Sequence, residues 1–286
     1  MDDKEFAVYF EEKVMSTIEE YDLFDKRETV FVAASGGKDS TVLLHILHKY
    51  GYNIEAISVD ARIGCYTADN LERLKRFCEQ RNVKLHVIDF RKEFGKSMCY
   101  IRSVLNSKGY NYKSCNICGV LRRYLLNKYS RELKASKLAL GHNLDDEAQA
   151  FLMNFLRGNN SVNARLGPSP GVIKDAKFVQ RVKPLYFLTE AEVIRYSKIN
   201  GFDVKYGECP CSSDSYRRTI RKMLHEEEAF MPDLKRNILN SFLGSSTSMK
   251  EYYSRDSEVL DYCGSCSEPC RGSSCNACDI LAKLAD

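Results

Sequence analysis

The chain has 286 residues, of which 44% are hydrophobic, and a formal net charge of +4 at neutral pH. This length allows one large domain or two with a sizeable core, and the apolar fraction is ordinary for a soluble protein. No apolar run is long enough to span a membrane, and the acidic start at residues 1–5 lacks the order of a signal peptide. We therefore expect a cytoplasmic protein with no membrane segment, and the small net charge alone does not indicate nucleic-acid binding.

The first third of the chain alternates between strand and helix patterns. Apolar spacing predicts an opening helix at residues 6–21. The order strand, helix, strand, helix, strand follows it, and this order predicts a parallel sheet with right-handed crossovers. The predicted strands are residues 30–34, 53–59 and 83–90, and the predicted helices between them are residues 41–50 and 68–81.

The rest of the chain has a weaker pattern. A short strand is predicted at 138–140, a helix running on to 156, and a helix at 190–199 with Thr189 as its N-cap. Basic helical sequence fills 216–243, and Gly-Ser-Ser-Thr-Ser at 244–248 predicts a linker. We expect an N-terminal helix at 1–26, a catalytic domain with a helical extension at 27–250, and a small tail at 251–286.

The most informative stretch is residues 30–40, where an apolar strand turns through Ser-Gly-Gly-Lys-Asp-Ser into a helix. Such a turn aims backbone N–H groups and the helix N-terminus at a phosphate. Gly36 and Gly37 permit a close approach of the ligand, and Lys38 adds a positive charge. The adjacent glycines distinguish this loop from the Walker pattern. The structural alternative is an ordinary Gly-Gly turn.

Cysteine is abundant, with twelve residues in a chain expected to be cytosolic, where disulfides are rare. Clustered cysteines therefore favour metal binding. Cys263-x-x-Cys266 and Cys275-x-x-Cys278 are two chelating pairs that together complete a tetrahedral site. We predict structural zinc there, with an iron–sulfur cluster as the alternative, and we predict that the fifth thiol, Cys270, is free.

A separate pair, Cys115-x-x-Cys118, precedes a predicted helix and has no second pair beside it in the sequence. It fits a redox or persulfide-carrying dithiol, half of a metal site, or reduced structural thiols. Cys209 or Cys211 would complete a metal site, and three thiolates on a cubane cluster leave one iron open to sulfur. Three further cysteines are isolated in the sequence and are predicted to be single buried thiols: Cys65, Cys78 and Cys99.

Polar residues follow two of the predicted strands. Asp145 and Asp146 lie where a strand end becomes a helix, and carboxylates there cap the helix, bind Mg²⁺ or accept a proton. His142 is a weaker candidate for a base, and Asp60 is either a cap or a ligand contact. Ligands of parallel sheets bind beyond the carboxyl ends of the strands. We therefore expect these side chains near the Ser-Gly-Gly-Lys-Asp-Ser turn at residues 35–40, called the phosphate loop below.

Three motifs, taken together and in order, resemble the tRNA 2-thiolation enzymes of the TtcA/TtuA group of PP-loop ATP pyrophosphatases. They are Ser-Gly-Gly-Lys-Asp-Ser, Cys-x-x-Cys-Gly-Val-Leu-Arg-Arg and Gly-His-Asn-Leu-Asp-Asp-Glu. The similarity spans residues 10–281, includes Glu-Cys-Pro at 208–210, and is closest to the archaeal and eukaryotic branch that thiolates uridines. It implies an α/β fold with a doubly wound parallel sheet of the adenine nucleotide alpha hydrolase type, a helical C-terminal extension and a small zinc-binding tail.

The resemblance also implies an activity. ATP adenylates the C2 oxygen of a tRNA uridine, with the wobble position favoured, and sulfur held on a 4Fe–4S cluster then replaces that oxygen. Cys115, Cys118 and Cys209 would hold the cluster, Asp146 would be the catalytic acid or base, and Lys38 would act on ATP. The implied nucleotide-binding residues are Ala34, Ser35, Gly36, Gly37, Lys38, Asp39, Ser40, Asp60, Gly141 and His142.

The implied cofactors are ATP, Mg²⁺, the 4Fe–4S cluster and Zn²⁺. The implied partners are tRNA, a second copy of the chain, and a sulfur donor that is either sulfide or a ubiquitin-like carrier protein. Three basic clusters in the sequence agree with a polyanionic substrate. These clusters are Arg122-Arg123, Arg217-Arg218 and Arg221-Lys222.

Two departures from the family pattern leave alternatives open. No cysteine precedes Cys65, although the uridine branch normally begins with a second zinc finger. Cys211 stands where the family often has an aromatic residue, so it competes with Cys209 as a cluster ligand. The alternative functions are 2-thiocytidine formation, a pyrophosphatase that amidates or ligates a small molecule, and a tRNA-binding module without catalysis.

Overall fold

The computed structural model describes residues 1–173, 175–207, 209–212, 216–255 and 260–285. Glu208 of the Glu-Cys-Pro motif lies outside these ranges. Within them, every helix is too short or too polar to span a membrane.

Helices and strands alternate through most of the described chain. The helices are α1 (Asp3–Glu20), α2 (Lys38–Lys49), α3 (Gly64–Gln80), α4 (Phe90–Phe94), α5 (Met98–Ser107), α6 (Ser114–Glu132), α7 (Leu144–Phe155), α8 (Asn160–Asn163), α9 (Glu190–Ile199), α10 (Tyr216–Glu227), α11 (Leu234–Arg255) and α12 (Asn276–Ala285). The strands are β1 (Val30–Ala33), β2 (Ile54–Asp60), β3 (Leu85–Asp89), β4 (Lys137–Leu140), β5 (Gln180–Val182), β6 (Asp261–Tyr262) and β7 (Pro269–Cys270), with a 3₁₀ turn at Pro210–Ser212.

The central sheet has five parallel strands in the order β3-β2-β1-β4-β5. Val30 of β1 pairs with Ile54 of β2 on one side and with Lys137 of β4 on the other. The chain therefore first builds outward on one side of β1 and then on the opposite side, and the crevice where the order reverses is the usual ligand site of such sheets. The predicted parallel sheet is confirmed.

Helices cover both faces of the sheet, because its central strands are apolar on both sides. On one face α1, α2, α3 and α9 form a single apolar cluster, in which Phe10 stacks on Tyr196 at a ring distance of 4.4 Å. On the other face α5 and α6 pack together with the cysteine-rich tail. A third cluster joins α7 to the helical extension α10 and α11. The predicted division at residue 250 stays a prediction, although α11 continues across that position.

Two local predictions were wrong or incomplete. The serine-rich stretch 244–248, predicted as a linker, is the middle of α11. Its hydroxyls are satisfied inside the helix, because Ser245 donates to the carbonyl of Phe242 at 3.0 Å and Ser246 to that of Leu243 at 2.8 Å. The sequence analysis also missed β5, whose three residues, two of them polar, are too few to show a strand pattern.

A buried ion pair joins α7 to the segment after β5. Lys183 Nζ donates to Glu147 Oε2 at 2.7 Å, and both side chains are almost completely buried. Burial alone raises the pKa of Glu147, but neighbouring His142 and the charge of Lys183 together hold that pKa below its ordinary value. The pair therefore favours the folded state only while the carboxylate stays ionised.

Lys183→Met should lower the free energy of unfolding by about 3–5 kcal/mol, since it leaves a buried carboxylate without its partner. The difference from the wild type should be full at neutral pH and shrink as the pH falls through the folded-state pKa of Glu147, because a depressed carboxyl pKa stabilises only above that value. Urea unfolding at several pH values measures it. Lys84→Met removes an exposed pair with Glu55 and should cost less than about 1 kcal/mol. Equal losses in the two variants would contradict the assignment.

Candidate active site

The phosphate loop leaves β1 and enters α2 through two glycines. Gly36 has a φ of 76°, and a Cβ on it would lie 2.1 Å from the carbonyl oxygen of Asn70 in α3. Only glycine fits there, because the loop passes directly against the α3 backbone. Ser40 closes the loop: its Oγ accepts from the N–H of Ser35 at 3.2 Å and donates to the carbonyl of Gly37 at 3.1 Å. The first N–H groups of α2 have no intrahelical acceptor and form the anion-binding end.

Charged side chains from three elements meet behind this loop. Lys38 Nζ lies 2.9 Å from Glu190 Oε1 and 3.1 Å from Asp39 Oδ2. Asn143 Nδ2 donates to the other oxygen of Asp39 at 2.9 Å. Burial raises the pKa of Asp39 and nearby Asp146 adds to the rise, against the opposing charge of Lys38. Two neighbouring carboxylates that repel one another are a suitable environment for a cation.

The two adjacent aspartates have different surroundings. Asp145 is buried, accepts the backbone N–H of Glu190 at 2.8 Å, and forms an ion pair with Lys235. Asp146 is partly exposed. Its backbone N–H donates to Asn143 Oδ1 at 3.1 Å, and its own Oδ1 lies 3.4 Å from Arg217 Nη1. Asp146 lines the cavity beside the phosphate loop, whereas Asp145 lines a different cleft. Of the two, Asp146 is therefore the group that can reach a ligand on the loop.

The other predicted strand-end residues lie around the same crevice. Gly141 is the first residue after β4 and packs against the backbone of α2. A Cβ on it would lie 3.0 Å from the backbone nitrogen of Ser40. His142 is half exposed, with Nδ1 3.6 Å from Glu147 Oε1. Asp60 is buried, accepts the N–H of Arg62 at 2.8 Å, and faces the cavity next to the one that the loop lines.

Two cavities meet at this crevice. The first, the loop cavity, has a volume of about 280 Å³. Its polar lining includes Ser35, Asp39, Ser40, Arg122, His142 and Asp146, with Ala34 and Gly141 beside them. The second, the cysteine cavity, has a volume of about 310 Å³ and is lined by Cys115, Cys118, Cys209 and Cys211. Ser35, Val59 and Arg122 line both cavities, so the phosphate loop and the cysteines share a wall.

The cysteine cavity combines thiols from two distant parts of the chain. Cys115 and Cys118 lie in the first two turns of α6, and Cys209 and Cys211 flank the start of the 3₁₀ turn. Cys115 Sγ lies 3.9 Å from the carbonyl of Cys211. Burial raises the pKa of Cys118, and it raises the pKa of Cys211 to about 11. Binding of a metal or cluster by either thiol would therefore release a proton.

The isolated cysteines were only partly predicted. Cys78 is buried, as expected. Cys65 and Cys99 are exposed, so the prediction of single buried thiols was wrong for both. Both lie in the first turn of a helix, on its outer side, which the sequence spacing did not indicate.

Arg122 and Glu190 belong to the site but were not singled out for it from the sequence. Arg122 lies two turns into α6 at the wall shared by the two cavities, and its buried Nε has no hydrogen-bond partner in the described part of the chain. Glu190 reaches Lys38 from the start of α9. The Cys-x-x-Cys-Gly-Val-Leu-Arg-Arg motif contained the signal for Arg122, because four residues from Cys118 is one helical turn. No comparable signal marks Glu190.

The tail has a different cysteine geometry. The four Sγ atoms of Cys263, Cys266, Cys275 and Cys278 all lie within 4.8 Å of one another, with 3.6 Å between those of Cys266 and Cys275. Thiolates on one tetrahedral zinc lie about 3.8 Å apart, so the residues fit a single ion. Among the described residues, no other group of three or more His, Cys, Asp or Glu is as close. Cys270 stays outside it and donates to the carbonyl of Gly272 at 3.1 Å.

A larger basic cleft, of about 1150 Å³, opens beside Asp145 and Glu190. Two of the three basic clusters predicted from the sequence border it, one through Arg218 and the other through Arg221 and Lys222. Arg221 Nη2 lies 3.5 Å from Glu190 Oε2. Basic and aromatic side chains that line it are suited to phosphates and stacked bases. They are Lys113, Arg157, Tyr216, Arg218, Lys222 and Lys235, with Arg157 over the ring of Tyr216 at 4.5 Å.

Residues 7–228 match the PP-loop domain family, which is more than half of the chain. The chain belongs to this family. Its predicted membership is thereby confirmed, and the phosphate loop described above is the PP-loop that the family is named for.

Relatives of this PP-loop protein are named as tRNA-thiolating enzymes. The tRNA-5-methyluridine(54) 2-sulfurtransferase of Pyrococcus horikoshii is 33% identical, over 96% of this chain and 86% of the relative. Cytoplasmic tRNA 2-thiolation protein 1 of Laccaria bicolor is 32% identical, over 98% of this chain and 78% of the relative. Among solved structures, the U34-tRNA thiolase NcsA of Methanococcus maripaludis, with its [4Fe-4S] cluster, matches with a TM-score of 0.80 and 28% identity, covering 99% and 89% of the two chains.

Gly36→Ala should destabilise this PP-loop protein by about 2–4 kcal/mol and abolish nucleotide binding, since a Cβ at that positive φ collides with the α3 backbone. Gly37→Ala is the matched control, because its Cβ would meet only Ser35 Oγ, at 3.4 Å. The free energy of unfolding of that variant should lie within about 1 kcal/mol of the wild-type value. Thermal unfolding and calorimetric ATP titration measure both effects. Equal tolerance of the two substitutions would contradict the close approach of loop and α3.

Proposed function

We propose that this PP-loop protein is a cytoplasmic, ATP-dependent tRNA 2-sulfurtransferase that forms 2-thiouridine, with the wobble uridine as the favoured target. The observation that carries the proposal is the wall shared by the loop cavity and the cysteine cavity. A site that binds the phosphates of ATP can activate a substrate oxygen as a leaving group, and thiols can bind and transfer sulfur. In this structure the phosphate loop and the thiols line adjacent cavities. The names of the relatives support thiolation of tRNA uridines: the structural match is a U34-tRNA thiolase, which supports position 34, and the Pyrococcus horikoshii relative is named for 5-methyluridine 54.

The loop cavity provides the activation step. Backbone N–H groups of the loop hold the phosphates of ATP, and Lys38 exchanges Glu190 for phosphate oxygens. Asp39 and Asp146, whose carboxylates repel one another, would hold Mg²⁺, which would offset the charge of the phosphates. The C2 oxygen of the uridine then attacks the α-phosphate, and pyrophosphate leaves. Adenylation turns that oxygen into a good leaving group, which departs as AMP when sulfur attacks C2.

The cysteine cavity provides the sulfur side of the reaction. Cys115, Cys118 and Cys209 fit a cubane cluster better than a single ion, since three thiols line one cavity without the close spacing of the tail cysteines. When bound, a 4Fe–4S cluster with three protein ligands supplies an iron that can carry sulfur. Arg122 faces both cavities and stabilises the negative charge that develops on the phosphate as AMP leaves.

The remaining partners follow from the charges and cysteines around the site. The basic cleft is suited to the tRNA backbone, with Tyr216 as a platform for a base. The four tail thiolates hold structural Zn²⁺. We further propose a homodimer and a sulfur donor that is either sulfide or a ubiquitin-like carrier protein.

Asp146→Asn should lower tRNA thiolation by about 100- to 10,000-fold while tRNA still binds, because the carboxylate proposed to transfer a proton and to hold Mg²⁺ is removed. Cys118→Ser should remove the brown iron–sulfur absorbance of anaerobically purified protein and the activity together. Cys65→Ser, an exposed cysteine in α3, is the matched control and should change neither. Absorbance spectra and mass spectrometry of tRNA nucleosides give the readouts.

Three outcomes would count against the proposal. A colourless wild type that is fully active would indicate an ATP pyrophosphatase of another class. Thiolation retained in Asp146→Asn would remove that residue from the chemistry. Loss of 2-thiocytidine rather than 2-thiouridine from tRNA of cells that lack the protein would change the substrate to cytidine.

Cys275→Ser should abolish the bound zinc and expose the tail to proteolysis, since three thiolates no longer close the tetrahedral site that folds it. Cys270→Ser is the control, because Cys270 lies outside the group of four, and it should keep the zinc. Elemental analysis and limited proteolysis measure the two effects. Zinc lost equally from both variants, or iron in place of zinc in the wild type, would overturn the assignment.

A further inference from the structure

The cysteine cavity is lined by four thiols, of which the proposed cluster uses three. Cys115, Cys118 and Cys209 are assigned to the cluster, and Cys211 lines the same cavity. A cubane cluster has four irons, and each iron takes one cysteine thiolate when the protein offers four. The thiols around this cavity therefore match the irons in number, and the reaction described above leaves Cys211 without a role.

Cys211 is held beside the other thiols by a short turn. Cys209 and Cys211 flank Pro210 at the start of this turn. Ser212 closes it, because its N–H and its Oγ donate to the carbonyl oxygen of Cys209 at 3.0 and 2.7 Å. The carbonyl oxygen of Cys211 lies 3.9 Å from Cys115 Sγ, at the start of α6. The turn and the helix thus meet at the cavity, and each contributes two cysteines to its wall.

The other side chains that line the cavity in the described part of the chain are poorer ligands for a fourth iron. The acidic one is Asp60, which is buried and already paired. One of its oxygens accepts the N–H of Arg62 at 2.8 Å, and the other lies 3.3 Å from Arg62 Nε. Beside the thiols the wall includes the buried apolar side chains Ile63 and Met98. Soft thiolates are the ligands that iron–sulfur clusters select, so Cys211 is the available donor.

We propose that Cys211 is an exchangeable fourth ligand of the 4Fe–4S cluster, which occupies the fourth iron in the resting protein and gives way to incoming sulfide. The inference rests on the proposed function, because that function supplies both the cluster and the sulfide. Cys209 and Cys211 then do not compete, since each thiolate binds its own iron. Sulfide binding becomes a ligand exchange instead of an addition to a vacant position.

The exchange balances without a redox change. H₂S gives one proton to the departing Cys211 thiolate, which becomes a thiol, and the remaining hydrosulfide takes the coordination position that Cys211 leaves. No sulfur–sulfur bond forms or breaks, and no electron is transferred. A rotation about the Cα–Cβ bond of Cys211 withdraws its Sγ without moving the backbone that holds Cys209. When sulfur has left on the product, the Cys211 thiol loses its proton to solvent and binds again.

The test uses the full-length protein with its cluster, kept anaerobic, and needs no tRNA or ATP. Iodoacetamide labelling and peptide mass spectrometry report which thiols are free. Without sulfide Cys211 should resist labelling, and with excess sulfide its labelling should rise about tenfold or more while Cys115 and Cys118 stay protected. Exposed Cys65 should label equally in both conditions. After a chelator removes the cluster, Cys211 should label readily, which separates protection by the cluster from protection by burial.

Cys211→Ala gives an independent readout on the same holoprotein. With three protein thiolates the fourth iron is open to oxidative loss, so ferricyanide should convert the cluster to a 3Fe–4S form, detected by EPR and iron analysis. The wild type should keep four irons under the same treatment. Sulfide, titrated by absorbance, should bind the variant about tenfold more tightly or better, since no thiolate has to be displaced first. Cys65→Ala is the matched control and should behave as the wild type.

Several outcomes would overturn the inference. They are equal iron loss in the wild type and Cys211→Ala, labelling of Cys211 in the holoprotein without sulfide, and a colourless Cys211→Ala, which would make Cys211 a permanent ligand. A wild type that binds no cluster also overturns it, and analysis of tRNA nucleosides then decides separately whether thiolation occurs. If the wild type carries the cluster but thiolates no tRNA, the proposed function fails, while the labelling and iron readouts still judge Cys211.

Discussion

The position of β1 in the sheet is the constraint on which the rest of the site depends. Because β1 pairs with β2 on one side and β4 on the other, the loops that leave β1 and β4 diverge from a common crevice. The phosphate loop follows β1, and Asp146 follows β4 in the first turn of α7. The two meet at the crevice although no sequence pattern links them. The α6 helix lies across the same end of the sheet, so its first turns bring the thiols of Cys115 and Cys118 to the crevice. A different strand order would separate these groups.

Features carried by local spacing were predictable from the sequence. Each of these features is formed by residues that lie only a few positions apart in the sequence. They are the PP-loop, the two Cys-x-x-Cys pairs of the tail and the N-cap of α9 at Thr189. Contacts between distant segments were not predictable. Glu190 reaches Lys38 across the crevice only because the fold brings α9 to the loop. The helical serines of α11 were misinterpreted for a different reason, since their composition favours a linker while their hydroxyls are satisfied within the helix.

The tail is attached to α6, the helix that carries Cys115 and Cys118. Glu268 forms an ion pair with Arg131 and accepts a hydrogen bond from Asn127 at 2.8 Å, both on α6. Apolar residues of α12 complete the contact. A metal bound by the four tail cysteines, as proposed above, would therefore also support the outer face of α6, and its loss would loosen the helix from which Cys115 and Cys118 project.

The positive charge of Lys38 is already balanced by neighbouring carboxylates in the absence of phosphate. Glu190 and Asp39 already contact its ammonium group, and Glu190 is in turn approached by Arg221 from the basic cleft. A phosphate that binds the loop must displace a carboxylate from Lys38, so its affinity reflects an exchange of counter-ions rather than the full attraction of a bare lysine. The displaced Glu190 remains next to Arg221, at the border of the cleft. In the proposed reaction, occupancy of the nucleotide pocket would thereby change the electrostatic potential that a polyanion meets in the cleft, so the binding of one negatively charged substrate would affect the binding of the other.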